Sequence, residues 1–247
     1  EKVRAFNLLG LRGKWKLGRA SDTWERTIAH HWFDREVCRA VIRATKTLPD
    51  AFVAFRGSDT LFEAFSGRCA CVLDQIDGGI HEVNVVREEQ ARHLDWLRGE
   101  PDWLTCEREA KPFWLDLEAP RLRREWALAD RILCNSNWTR ECLAAEGVDV
   151  AKCEVVPLAF EPGEDAGVRR VRFNEPGRLT VAFLGTVTLR KGIHHLIEAV
   201  LEARRQADVR LIIAGSAGEV DPARLTGHGE AVEYRGRIAR GDVPAFL

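Results

Sequence analysis

Residues Leu179–Leu201 read LTVAFLGTVTLRKGIHHLIEAVL. Thr180–Leu184 is a short apolar run rich in β-forming residues, the pattern of a buried strand, and Gly185 ends it. The turn that follows carries Arg190-Lys191-Gly192. From there Ile193, Leu196, Ile197, Val200 and Leu201 recur at i, i+3, i+4, i+7 and i+8, which places them on one helical face. The stretch is strand, glycine turn, helix, with two cations at the helix start. N–H groups there point outward and carry partial positive charge. Added arginine and lysine suit the turn to a phosphate or diphosphate. The order of residues differs from the usual nucleotide loops. Walker A needs Gly-Lys-Ser/Thr, and a dinucleotide fingerprint needs three glycines. An ordinary βα turn with two solvated cations is the competing reading.

Two further segments repeat the pattern. Asp208–Gly215, DVRLIIAG, is a second buried run closed by glycine, and Ala231–Gly236, AVEYRG, is a third, followed by Arg237-Ile238. Upstream, helical spacing runs through Trp24–Thr45, Thr60–Phe65, Val83–Leu97 and Trp138–Glu146, and strand patterns fall at Ala51–Phe55, Cys69–Leu73, Arg131–Cys134 and Cys153–Pro157. Ser58 or Asp59 is placed to cap the second of these helices, and Asn135-Ser136-Asn137 the last. Leu158–Gly177 holds two prolines, three glycines and several charges, and reads as a linker. The alternation predicts an α/β fold of two Rossmann-type parallel-sheet domains, residues 1–157 and 178–247, joined by residues 158–177. The chain holds no methionine, and Gly241–Leu247 reads as a helix start with Asp242 as N-cap. The expectation is a fragment trimmed at both ends, its second domain incomplete.

Composition narrows the partners. Charged residues make up 30% of the chain but net charge is only −1, so no global field draws nucleic acid or an anionic membrane. No apolar run reaches the length of a membrane span, though contact with a membrane surface stays open. The seven cysteines include no C-x-x-C, and several sit at apolar positions. They read as reduced core residues of a cytoplasmic protein. His30, His31 and Asp34 read as solvated helix residues rather than metal ligands. Asp74–Glu82, with Asp77 and His81, reads as a loop leaving a strand at the edge where open α/β sheets hold ligands.

The ordered set FLGTVTLRKG, LIIAGSAG and VEYRGRI resembles the donor domain of GT-B glycosyltransferases, in particular the large retaining family 4. Upstream, ALADRILCNSNWTRECLAAEGVDVAKCEVVPLAF is similar to the same family's segment preceding the linker. The likeness runs from about Val72 to the C-terminus. It implies an enzyme that moves a sugar from a nucleotide-diphosphate sugar to an acceptor hydroxyl on a glycan, lipid or small molecule. The nucleotide sugar is a co-substrate, and neither cofactor nor metal is implied. By the resemblance, Gly185, Thr186, Arg190 and Lys191 hold the diphosphate. Gly215, Ser216, Arg237 and Ile238 contact the nucleoside. Asp77 and His81 stand near the acceptor as catalytic candidates, with Asp74 in the same loop, and Ser136 matches a serine of the family. Thr186 stands where the family often has arginine, which leaves open whether Arg190 substitutes. The E-x₇-E motif that grips the sugar is expected beyond Leu247, so the fragment alone is expected to be inactive. A non-catalytic sugar-nucleotide-binding module and a GT-B-like epimerase are the alternatives.

Overall fold

A computed structural model of the chain describes residues 23–159 and 177–246. These fall into two compact units, residues 23–84 with 102–159 and residues 85–101 with 177–246. The linker expected at 158–177 lies mostly outside the described residues. Residues 85–101, read from the sequence as part of the first domain, cluster with the second unit. Among the described residues no helix is long and apolar enough to cross a membrane.

The first unit contains α1 (Thr23–Ala44), β1 (Ala51–Phe55), α2 (Asp59–Phe65), β2 (Ala70–Gln75) and the start of α3 (Gly79–Arg92), inside which the two units divide. It continues with α4 (Asp102–Arg108), α5 (Trp114–Leu128), β3 (Arg131–Cys134), α6 (Asn137–Ala145) and β4 (Cys153–Val155). The strands pair in parallel in the order β1-β2-β3-β4, with Leu73 opposite both Ala54 and Ile132. Residues of alternate parity take opposite faces of a strand. Cys71, Leu73 and Gln75 of β2 and Ile132 and Cys134 of β3 are buried, and the hydrophobic core joins Cys71, Leu73, Ile132 and Cys134 to Phe62, Phe65, Leu122, Trp126 and Leu143. On the other parity, the edge strand β1 is open, with Val53 61% and Phe55 60% exposed, while Val72 and Leu133 of the inner strands are half-buried.

Helix α3 starts at Gly79 rather than Val83, so His81 is helical, and Asp74 belongs to β2 rather than to the loop after it. The shift follows from local bonding, since the Gly78 N–H donates to Glu82 Oε2 at 2.6 Å and the Gly79 N–H to Asp77 Oδ1 at 3.0 Å. These bonds satisfy orphan donors of the first turn. Ser58 makes no side-chain cap bond to α2; its N–H donates to the buried Glu125 at 2.5 Å. His31 is paired with Glu118 at 2.5 Å and Asp34 faces Arg121 at 3.8 Å, so neither is the merely solvated residue that the sequence suggests.

Ser136 does cap α6, its Oγ accepting from the Thr139 N–H at 3.2 Å. Ser136→Ala is expected to cost about 1 kcal/mol of stability, read as a lower urea midpoint. An unchanged midpoint would mean that this bond is not held in solution. None of the seven cysteines is in a disulfide. Burial pushes the thiols of Cys38, Cys71 and Cys142 up to about 11 and that of Cys134 to about 12. These four are inert packing groups at neutral pH, since the thiolate is the reactive form.

The second unit contains β5 (Leu179–Leu184), α7 (Ile193–Ala203), β6 (Val209–Ala214), α8 (Ala223–Thr226), β7 (Val232–Tyr234) and α9 (Val243–Phe246). The described sheet is parallel in the order β5-β6-β7. Val209, Leu211 and Ile213 are buried, and Ile193, Ile197, Val200 and Leu225 belong to the same core. Strand β5 is not the buried strand that its composition suggests, because it ends the described sheet with Leu179 47% and Leu184 40% exposed.

Residues 85–101 join this unit through the backbone. The Asp221 N–H donates to the Trp96 carbonyl at 2.8 Å and the Arg98 N–H to the Glu219 carbonyl at 2.9 Å. Arg224 pairs with Asp95 at 2.8 Å. Trp96 and Leu97, both 9% exposed, enter the core of this unit.

Candidate functional site

The parallel strands of the second unit bring their C-terminal ends to one edge of the sheet, the edge where open α/β sheets bind ligands. The three strand-end glycines meet there. The Gly185 N–H donates to the Ala214 carbonyl at 3.0 Å, and the Gly215 N–H to the Gly236 carbonyl at 2.7 Å. The Val187 N–H donates to the Ser216 carbonyl at 2.8 Å, and the Tyr234 hydroxyl to the Gly215 carbonyl at 3.0 Å. Gly185, Gly215 and Ser216, separate signals in the sequence, are thus neighbours. Arg237, exposed, and Ile238, half-buried, follow Gly236 directly.

Arg190 and Lys191 close a single 3-10 turn, Leu189–Lys191, and Gly192, in a left-handed conformation at φ 68°, turns the chain into α7. Both cations are exposed. Glu219 holds this turn. Its Oε1 accepts from the Leu189 N–H and its Oε2 from Gln90 Nε2, each at 3.1 Å. Gly218, at φ 54°, packs so closely that a Cβ would lie 2.7 Å from the Val187 carbonyl oxygen and 3.2 Å from Thr186 Cγ2. Gly218 and Glu219 are absent from the site residues that the sequence suggests; the second glycine of GSAGE, Gly215–Glu219, is the signal that marks them. The result is a rigid strand-end platform beside two exposed cations and the first N–H groups of an 11-residue helix. That combination can hold an anionic group and stabilise charge developing on it.

In the first unit, Asp77 and His81 follow β2 at the corresponding C-terminal edge. Asp77 is heavily engaged: Oδ1 accepts from the Gly79 N–H at 3.0 Å and from Gln75 Nε2 at 3.1 Å, and Oδ2 pairs with Arg56 at 3.0 Å. It fixes the start of α3 rather than standing free as a base. The His81 ring lies 6.3 Å from that of Trp138 on α6, which is 47% exposed. Ser136 is occupied as a helix cap. A cavity of about 380 Å³ in the second unit is lined by Arg178, Arg210, Gly229, Glu230, Val232 and Glu233. It begins at the N-terminal end of the sheet and includes none of the predicted donor residues.

No protein-family model matches the chain, and none of the curated proteins does. Solved structures do. Anabaena HepE in complex with UDP-glucose is 15% identical over 84% of this chain and 52% of its own, with a TM-score of 0.43. The lipopolysaccharide outer core galactosyltransferase WaaB is 16% identical over 87% of this chain and 50% of its own, with a TM-score of 0.35. Phytolacca americana UGT2, complexed with UDP-2fluoro-glucose and pterostilbene, is 12% identical over 87% and 53%, with a TM-score of 0.38. The chain spans about half the length of these structures. Likeness at this level does not carry a functional assignment, which rests on the residues themselves.

Proposed function

We propose that this chain comes from a GT-B glycosyltransferase of the family-4 type. The parent enzyme would bind a nucleotide-diphosphate sugar at the strand ends of the second unit and transfer the sugar, with retention, to an acceptor hydroxyl. The observation that carries the reading is the meeting of Gly185, Gly215 and Gly236 beside the exposed Arg190-Lys191 turn at the start of α7. As the bond from the anomeric carbon to the diphosphate oxygen breaks, negative charge builds on the leaving nucleoside diphosphate. Lys191, Arg190 and the first N–H groups of α7 would stabilise that charge without reorganising. Gly215, Ser216, Arg237 and Ile238 would contact the nucleoside. His81 is the acceptor-side candidate, and Asp77 positions the helix that carries it. A cytoplasmic setting suits seven cysteines that form no disulfide.

The test is Lys191→Ala, in this chain for binding of UDP, GDP and ADP, and in the full-length parent for turnover. Nucleotide affinity should fall, and turnover should drop about 10²–10³-fold, the effect of removing one charged donor from a developing anion. Unchanged affinity and unchanged turnover would remove the diphosphate role. Binding lost in the variant, with no sugar transfer by the parent, would favour a sugar-nucleotide-binding module or an epimerase; analysis of the sugar product separates those two.

A further inference from the structure

Three imidazoles converge on one carboxylate oxygen in the second unit, away from any role given to a residue above. Glu89 lies in the last turns of α3, and His93 follows that helix directly. His194 and His195 lie in the first turn of α7. Glu89 Oε1 is 2.6 Å from His194 Nε2, 3.0 Å from His195 Nε2 and 3.5 Å from His93 Nε2. The rings crowd together, with centroids of His93 and His194 4.5 Å apart and those of His194 and His195 3.8 Å apart.

We propose that Glu89, His93 and His194 form a binding site for a divalent transition-metal ion of the zinc type, with His195 available for a fourth position. One ligand atom from each of the three lies within 4.8 Å of the others. A tetrahedral ion with bonds near 2.0–2.1 Å spaces its ligand atoms by about 3.4 Å, so only small side-chain movements separate this arrangement from coordination. The donor set is borderline in softness, imidazole with one carboxylate, which suits zinc or cobalt and not calcium or magnesium. His194 is fully buried, and its Nδ1 has no partner. His194 Nε2, the nitrogen aimed at Glu89, is the one that would ligate the ion. Arg92 at 3.1 Å secures the other oxygen of Glu89, and the Trp96 ring packs edge-on to His194 at 5.9 Å. An ion here would tie residues 89–93 to the first turn of α7, close behind Lys191. The proposal does not depend on the glycosyltransferase reading.

The experiment is titration of the chelator-treated 247-residue chain with Zn²⁺ by calorimetry and with Co²⁺ by visible absorption. The expected result is one ion per chain and a cobalt spectrum of nitrogen and oxygen ligands without thiolate charge transfer. Trp96 should report the binding by fluorescence. Glu89→Gln and His93→Gln should each weaken the affinity at least tenfold. These two positions are partly exposed, so the test does not rest on a variant of the buried His194. Absence of stoichiometric binding, equal binding in both variants and the parent chain, or a thiolate band from the cysteines would each overturn the proposal.

Discussion

Gly215→Ala is expected to unfold the second unit or to leave it barely stable. A Cβ on residue 215 would lie 1.7 Å from the Gly185 carbonyl oxygen and 2.6 Å from its carbon. Both are backbone atoms, so no rotamer change relieves the contact. The backbone cannot simply move apart, because the Gly185 N–H is bonded to Ala214 at 3.0 Å and the Gly215 N–H to Gly236 at 2.7 Å. Residue 215 also sits at φ 148°, which side-chain-bearing residues rarely adopt. Overpacking and backbone strain each cost about 1–3 kcal/mol, and both act at one residue against a total domain stability of about 5–15 kcal/mol. Gly185→Ala is the control. It has a similar φ of 149° but no atom within 4 Å of its Cβ, so it should show the conformational cost alone. Urea unfolding followed by circular dichroism measures both. Equal midpoints for the two variants would mean that the close approach of residues 185 and 215 is not present in solution.

The first unit should lose stability as pH rises from about 5 to 8, and Glu125 is the reason. Its side chain is fully buried, and burial pushes its carboxyl up to about 8. The Ser58 N–H opposes that rise, the charge of Asp59 adds to it, and Arg121 opposes it. The folded pKa lies above the unfolded value near 4.5. Between those two values the folded state binds the extra proton, so ∂ΔG/∂pH of unfolding is negative. The loss is complete above the folded pKa and absent below the unfolded one. Each pH unit between the two pKa values is worth about 1.4 kcal/mol, so the full change is on the order of several kcal/mol. Arg121 and Arg124 both pair with Asp59, at 3.0 Å and 3.2 Å, and neither guanidinium titrates in this window. Glu125→Gln keeps the shape and the acceptor for Ser58 but cannot titrate. Its stability should fall markedly less than the parent chain's across this window and should exceed it at pH 9. A variant with the parent's slope would place the titrating group elsewhere.

Much of the fold was legible because it is local. Strand β3 falls at Arg131–Cys134, the segment that the strand pattern marks, and α7 begins at Ile193, where the helical period begins. The strand-end glycines could be read as well, since a chain leaving a parallel strand often needs a conformation that side chains resist. The sequence also marked Arg190-Lys191 as cations at a helix start, a property of adjacent residues that needs no tertiary partner.

What the sequence by itself determined is therefore the alternating α/β order, the parallel pairing it implies, and the character of the Leu179–Leu201 turn. What only the tertiary structure decided are the properties that depend on residues far apart in the chain. Residues 85–101 pack with the second unit because Trp96 and Arg98 find backbone partners at Asp221 and Glu219. Asp77 is engaged by the start of α3 and by Arg56. Gly215 is sterically required by a carbonyl 30 residues earlier, at Gly185. His194 and Glu89 are separated by 105 positions, and hydropathy reads the first as a polar residue on a helix surface. Period and propensity describe one segment at a time, whereas a steric contact or a hydrogen bond between segments exists only once the chain has brought them together.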